Sequence, residues 1–136
     1  MRSFALALAG ALLLGCSTST PGCGSPPSIA GTWDYQGTQS NPTATLTGTL
    51  TLTKTGSCTV AGTLSLTVND GGGTPVTSGW TTSGDFLDDS IVELNATQGG
   101  TERHHVGTVR ADSMTGPWLV TGGGASGSFR MKRTGP

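Results

Sequence analysis

Charge is scarce in this chain. Only 11% of its 136 residues are charged, seven Lys or Arg against eight Asp or Glu, for a net charge of −1. No basic stripe exists to meet a nucleic acid backbone, so that class of partner is excluded. Aromatic residues are fewer still, at 5%. Helix has almost no candidate after the first sixteen residues, and a chain so rich in Gly, Thr and Ser argues against a helical bundle, a coiled coil and a doubly wound α/β fold. The signatures of common catalytic sites are missing too. Gly124-Ala125-Ser126-Gly127 fails as Gly-x-Ser-x-Gly because Ser128 follows, and there is no His-Glu-x-x-His, phosphate-binding loop or Cys-x-x-Cys. With no nucleophile or base beside an orienting group, a non-catalytic protein without cofactor is expected. What the chain has instead is 23 Gly, 24 Thr and 14 Ser. Threonine favours strands and glycine favours turns, so the composition points to an all-β fold.

The N-terminus reads as an address. Arg2 provides a positive start and Phe4 to Leu14 an apolar stretch too short to span a bilayer, which needs about 20 residues. The stretch ends in Leu13-Leu14-Gly15-Cys16, which resembles the lipobox of bacterial lipoproteins. That resemblance implies cleavage after Gly15, a diacylglyceryl group on Cys16 and, with Ser17 rather than Asp next, an outer-membrane lipoprotein facing the periplasm or the surface. Acyl chains bury about 0.8 kcal/mol per methylene, so two or three anchor stably. The reading is a signal peptide over 1–15, a lipidated cysteine and Pro/Gly/Ser tether over 16–28, and a β-barrel domain over 29–136. Ser17 to Ser28 holds three prolines and no large apolar residue, the composition of an extended spacer.

Beyond the tether, period-two alternation dominates. From Ala44 to Thr53 the even positions are Ala, Leu or Gly and the odd positions Thr; from Cys58 to Val68 the even positions are again small or apolar. Each is a strand with one buried face, and Lys54-Thr55-Gly56-Ser57 turns one into the other. Further on, Gly84 to Ile91 and Gly107 to Met114 share the pattern Gly, any, apolar, any, any, Asp, Ser, apolar. This repeat predicts two similar hairpins with tight Asp-Ser turns. Strands are expected over 30–37, 44–54, 57–68, 74–86, 90–97, 101–110, 114–121 and 125–133. Short links make neighbours antiparallel, and closure of the eight-stranded up-and-down meander into a small barrel removes its two edges.

Gly31-Thr32-Trp33 opens the first strand and Phe129-Arg130-Met131-Lys132-Arg133 ends the last. This resembles the calycin group, lipocalins and avidins, in which Gly-x-Trp lies on the first strand and a late Arg or Lys covers the Trp. The resemblance implies a barrel end closed by Trp33 and Arg133 and a small apolar ligand inside. Alternation alone puts Phe129, Met131 and Arg133 on one face; a guanidinium on an indole is worth about 0.5–2 kcal/mol, and a solvated terminal Arg133 is the alternative. Avidin's polar ligand contacts do not align with Asp34-Tyr35-Gln36, so biotin is not expected.

Other candidates are weaker. With Cys16 lipidated, Cys23 and Cys58 remain, and an oxidising compartment favours their pairing; two separate thiols are the alternative. Alternation counted back from Val109 turns His105 and Arg103 inward and His104 outward, so the two imidazoles cannot share one ion with Glu102, and no metal site is expected. Asp85, Asp88 and Asp89 cluster without calcium-loop spacing and read as turn chemistry. Trp80, Phe86 and Trp118 are the candidate ligand-lining residues, with core packing as the alternative. Two functions fit: a lipid-anchored envelope protein binding a small apolar ligand, or an inhibitor-like module whose Gly-rich loops at 69–73 and 97–100 meet another envelope protein.

Overall fold

The computed structural model describes residues 22–136; the expected signal peptide over 1–15, Cys16 and the first part of the expected tether lie outside the described residues. Eight strands follow one another: β1 (Gly31–Ser40), β2 (Thr43–Lys54), β3 (Thr59–Asn69), β4 (Val76–Phe86), β5 (Ile91–Gln98), β6 (Thr101–Arg110), β7 (Ser113–Val120) and β8 (Ser126–Gly135). Each pairs antiparallel with the next and β8 returns to β1, so the sheet is a closed barrel in sequence order. The eight-stranded antiparallel meander expected from the sequence is the fold observed, and strand ends move by at most three residues.

Period two sorts the side chains of every strand. On β2 the buried file is Ala44, Leu46, Leu50 and Leu52, while Thr43, Thr45, Thr47, Thr49, Thr51 and Thr53 face out. Threonines on the outer wall hydrogen-bond across strands, as Thr67 Oγ1 and Thr77 Oγ1 do at 2.7 Å. Polar outside and apolar inside is the reverse of a lipid-facing barrel, which carries an apolar outer band. No helix among the described residues is long and apolar enough to cross a membrane.

The wall can close because glycine interrupts the inward file. Gly37, Gly48, Gly62, Gly84, Gly107, Gly116 and Gly127 all occupy inward positions on their strands. A Cβ on Gly62 would stand 1.8 Å from the Thr51 carbonyl oxygen and one on Gly127 1.7 Å from that of Thr38. At these points strand backbones come closer than any side chain permits, the role that glycine plays where a closed sheet must curve.

The sequence repeat is kept only in part. Both copies form hairpins at the same barrel end, but their turns differ. Arg110 pairs with Ser113 around a two-residue turn, whereas Phe86 pairs with Val92 around a longer one. Buried Met114 therefore corresponds in sequence to half-buried Ile91, and Val92 takes the inward place. A second Asp in the 84–91 copy changes the turn: Asp88 Oδ1 accepts from the Ser90 and Ile91 backbone N–H groups, both at 2.7 Å.

Candidate functional site

The two ends of the barrel are built differently. At one end, which we call the sealed end, the chain arrives as a strap, residues 22–30, without regular secondary structure. Ile29 and Cys23 are buried with the core. Cys23 is disulfide-bonded to Cys58 just before β3, with Cα atoms 5.8 Å apart. Ser25 N–H donates to Asp89 Oδ1 at 2.9 Å, which fastens the strap to the β4–β5 turn. The half of the spacer that the structure describes is thus stapled to the barrel. Trp33 Nε1 donates to the Ile29 carbonyl at 2.9 Å. The Arg133 guanidinium lies 4.7 Å from the Trp33 ring centre and donates to the carbonyls of Ala30, at 2.8 Å, and of Ser28. Asp112 Oδ1 stands 3.4 Å from Arg133 Nε. Phe86 belongs to this end too, packed beside Pro26, Pro27, Cys58 and Val60.

The other end is a mouth ringed by four links: 41–42, 70–75, 99–100 and 121–125. Three of them are glycine-rich, with Gly71, Gly99, Gly100 and Gly122 at positive φ. Both loops singled out from the sequence, 69–73 and 97–100, open here. Below the rim, inward-facing Trp80 on β4 and Trp118 on β7 hold the Arg103 guanidinium between them, its Cζ 5.2 Å from one ring centre and 4.5 Å from the other. Both indoles are themselves fixed: Trp80 Nε1 donates to Ser78 Oγ at 2.8 Å and Trp118 Nε1 to the Thr38 carbonyl at 3.1 Å. The structure therefore brings Trp80 and Trp118 together at the mouth and places Phe86 at the opposite end, so the three line no common space.

Arg103 is 8% exposed, yet its Nε and Nη1 have no hydrogen-bond partner among the described residues. Thr82 Oγ1 is likewise buried without a partner. Thr82 pairs across to Ala96, and Ala96 pairs to Arg103, so the two residues share a register line. Sequence alternation turns Arg103 inward but carries no sign that its charge is uncompensated; that depends on where all the acids lie in space. Burial pulls the Arg103 guanidinium below its ordinary pKa, opposed by nearby Tyr35.

One step deeper, the Tyr35 hydroxyl and His105 Nε2 share a hydrogen bond of 3.3 Å. His105 packs edge-on against Phe129, ring centres 5.2 Å apart, and Phe129 stacks on Tyr35 at 6.0 Å. Burial pushes Tyr35 well above its ordinary pKa. Burial also pushes His105 down to about 4, so the ring is neutral. Leu46, Leu50, Leu64, Leu66 and Leu94 fill the rest of the middle. Grooves of about 500 Å³ run along the outer wall rather than through this packed centre, for example past Thr38, Pro117 and Ser128.

The remaining candidates do not join the Arg103 cluster; Glu102 lies on the outer face at the rim, and His104 and Asp88 lie further off. His104 points outward, 2.8 Å from Asn95 Oδ1 and 3.5 Å from Glu93 Oε1. Glu102 accepts from Thr121 Oγ1 at 3.2 Å. Among the described residues no group of three His, Cys, Asp or Glu is placed to hold a metal ion. Asp88 sits in its turn, its carboxyl held below the usual range by the Ser90 and Ile91 N–H bonds.

No family model matches the chain and no curated protein matches it. Solved structures do match. A de novo designed fluorescence-activating β-barrel is similar at a TM-score of 0.63 and 18% identity, covering 78% of this chain and 94% of that one. A redesigned β-barrel solved with DFHBI bound is similar at a TM-score of 0.66 and 18% identity, covering 77% of this chain and 94% of that one. At such identities the likeness is one of fold, an eight-stranded closed barrel.

Proposed function

We propose that this protein is a non-catalytic binding module, held at a bacterial cell envelope through lipid on Cys16, that takes a small and largely apolar ligand at its glycine-ringed mouth. One observation carries this reading. One end of the barrel is sealed by strap, disulfide and the Trp33–Arg133 stack, while the other presents Trp80 and Trp118 beneath glycine-rich links. The binding of DFHBI by a barrel of the same fold supports it by analogy. The packed centre narrows the expectation of a ligand deep inside: the occupant lies against the indoles, in the manner of a shallow calycin site. The lipobox Leu13-Leu14-Gly15-Cys16 supports the anchor. Cys23 follows Cys16 by seven positions, a reach of about 24 Å at most, so the sealed end faces the membrane and the mouth faces away.

The test uses the full lipidated chain in detergent micelles and its tryptophan fluorescence. Uncharged apolar compounds, such as retinol and fatty-acid methyl esters, are titrated against the wild type and against Trp33→Phe, Trp80→Phe and Trp118→Phe. Quenching that survives Trp33→Phe and falls in the other two supports a mouth site. The second reading, a macromolecular partner, is favoured by Val76, an apolar side chain 66% exposed beside the 70–75 loop. Stoichiometric capture of one envelope protein, with no ligand response, decides for it. Mass spectrometry of the N-terminal peptide from the membrane fraction checks acylation of Cys16, and an unacylated mature start elsewhere removes the anchor.

A further inference from the structure

The Arg103 guanidinium is a buried cation without a counter-charge. All eight carboxylates of the chain have other places. Asp34 accepts from Gln36 Nε2 on the outer wall, and Asp70 Oδ1 caps the Gly72 N–H in its own loop. Asp88, Asp89 and Asp112 are at the sealed end, Asp85 faces out on β4, and Glu93 and Glu102 face out beside His104 and Thr121. The residues buried with Arg103 are neutral: Gln39, Thr82, His105 and the apolar core. Taking a guanidinium out of water is costly unless its N–H groups and its charge are both answered. The two indole faces answer part of the charge and none of the N–H groups, since a ring face stacks on the guanidinium plane while the N–H bonds lie in that plane.

Arg133 is the better answered arginine of this barrel, although its Nε is also buried without a hydrogen-bond partner. It also stacks on an indole, but its Nη1 and Nη2 donate to the Ala30 and Ser28 carbonyls and the Asp112 carboxylate stands beside its Nε as a counter-charge. Arg103 has the stack without the acceptors. Thr82 adds an unpartnered hydroxyl on the same register line. Two donors and a hydroxyl, each buried on one register line below the mouth, are groups that an incoming acceptor would answer.

We infer that the ligand of the mouth is a small monocarboxylate whose carboxylate accepts from Arg103 and Thr82 and whose apolar part lies against Trp80 and Trp118; this rests on the mouth reading above. A single cation among neutral buried neighbours suits one negative charge, with the Asp70 and Glu102 carboxylates outside at the rim. A phosphate dianion calls for more donors than one guanidinium and one hydroxyl supply. Tyr35, His105 and Phe129 pack the centre beneath, so the apolar part would lie outward, on the rim side of the indoles.

Phenylacetate and its uncharged counterpart phenylacetamide separate charge from shape, and inorganic phosphate serves as the competing anion. Each is titrated at pH 7.5 into the full chain in micelles, read by tryptophan fluorescence and by the ¹⁵N–¹H signal of the Arg103 side-chain Nε. The expected result is at least tenfold tighter binding of phenylacetate than of the amide, a shifted Arg103 Nε signal, and no such preference in Arg103→Gln. Where Arg103→Gln does not fold, the acid–amide ratio and the Nε signal of the wild type decide. Equal binding of acid and amide overturns the inference and leaves the mouth reading standing. So does a response to uncharged apolar compounds with none to phenylacetate. Tighter binding of phosphate than of phenylacetate overturns the monocarboxylate chemistry. Silence toward every compound, charged and uncharged, removes the mouth reading and the inference with it.

Discussion

His105 is the side chain whose protonation is most altered by folding. It is 2% exposed, and burial lowers its pKa from 6.5 to about 4, helped by nearby Arg103 and His104 and opposed by hydrogen bonds with the Leu94 and Arg103 backbone. The unfolded chain takes up a proton on this ring below about pH 6.5 that the folded barrel refuses until about pH 4. Stability from this group is therefore complete above pH 6.5 and is lost as pH falls toward 4, an effect of about 3 kcal/mol by linkage. Urea midpoints at pH 7.5 and 4.5 measure it. The wild type should lose stability across this interval and His105→Gln should lose distinctly less; equal losses would refute the assignment. Asp88 does not interfere, because its carboxyl is held below the ordinary range and titrates at lower pH. Arg103, two residues away on the same inward file, had its direction readable from alternation, yet the want of a counter-charge was not. That property belongs to eight acids scattered along the chain, and only the closed sheet decides that none of them faces inward.

At the scale of the strand, the inward glycines are what turns a sheet into a tube. A methyl carbon on Gly62 would stand 1.8 Å from the Thr51 carbonyl oxygen, which is backbone and cannot swing away as a side-chain end can. Gly62→Ala should cost at least about 2 kcal/mol, because the strand pair must separate to admit the methyl. Gly79, on the outer file of β4, has nothing within 4 Å of the same position. Gly79→Ala should leave stability unchanged or raise it by about 0.5 kcal/mol through a less flexible unfolded chain. Thermal denaturation of the two variants side by side checks the contrast, and similar costs at both sites would show that the inward glycines do not set curvature. The strands themselves were legible because Thr and Leu alternate with few breaks along β2 and β3. The repeat misled at one point. Its Asp-Ser pair marks a hairpin in both copies, but the extra carboxylate of Asp88 captures two backbone N–H groups and lengthens one turn, which passes the inward place from Ile91 to Val92.

Across the whole molecule the two ends divide the labour, and this division was only half visible in the sequence. Trp33 and Arg133 announce an end by their positions in the first and last strands. That Phe86 belongs with them, and Trp80 with Trp118, follows from the direction each strand runs round a closed barrel. The same geometry makes the sealed end and the mouth separable by experiment. The Cys23–Cys58 bond closes a loop of sequence separation 35 and ties the strap to the β2–β3 turn. A loop of that size restrains the unfolded chain by about 4 kcal/mol in the chain-entropy account, an upper figure when the reduced chain keeps some structure. Replacing both cysteines by serine should therefore lower stability by about 2–4 kcal/mol, read as an earlier urea midpoint. The fluorescence of Trp33 should change as well, since its Nε1 bond to Ile29 depends on the strap staying in place. Ligand affinity at Trp80 and Trp118 should hold within about twofold under conditions where the variant is folded, because no strap residue reaches the mouth. Loss of binding together with the disulfide would mean that the two ends are coupled through the Tyr35–His105–Phe129 layer that lies between them.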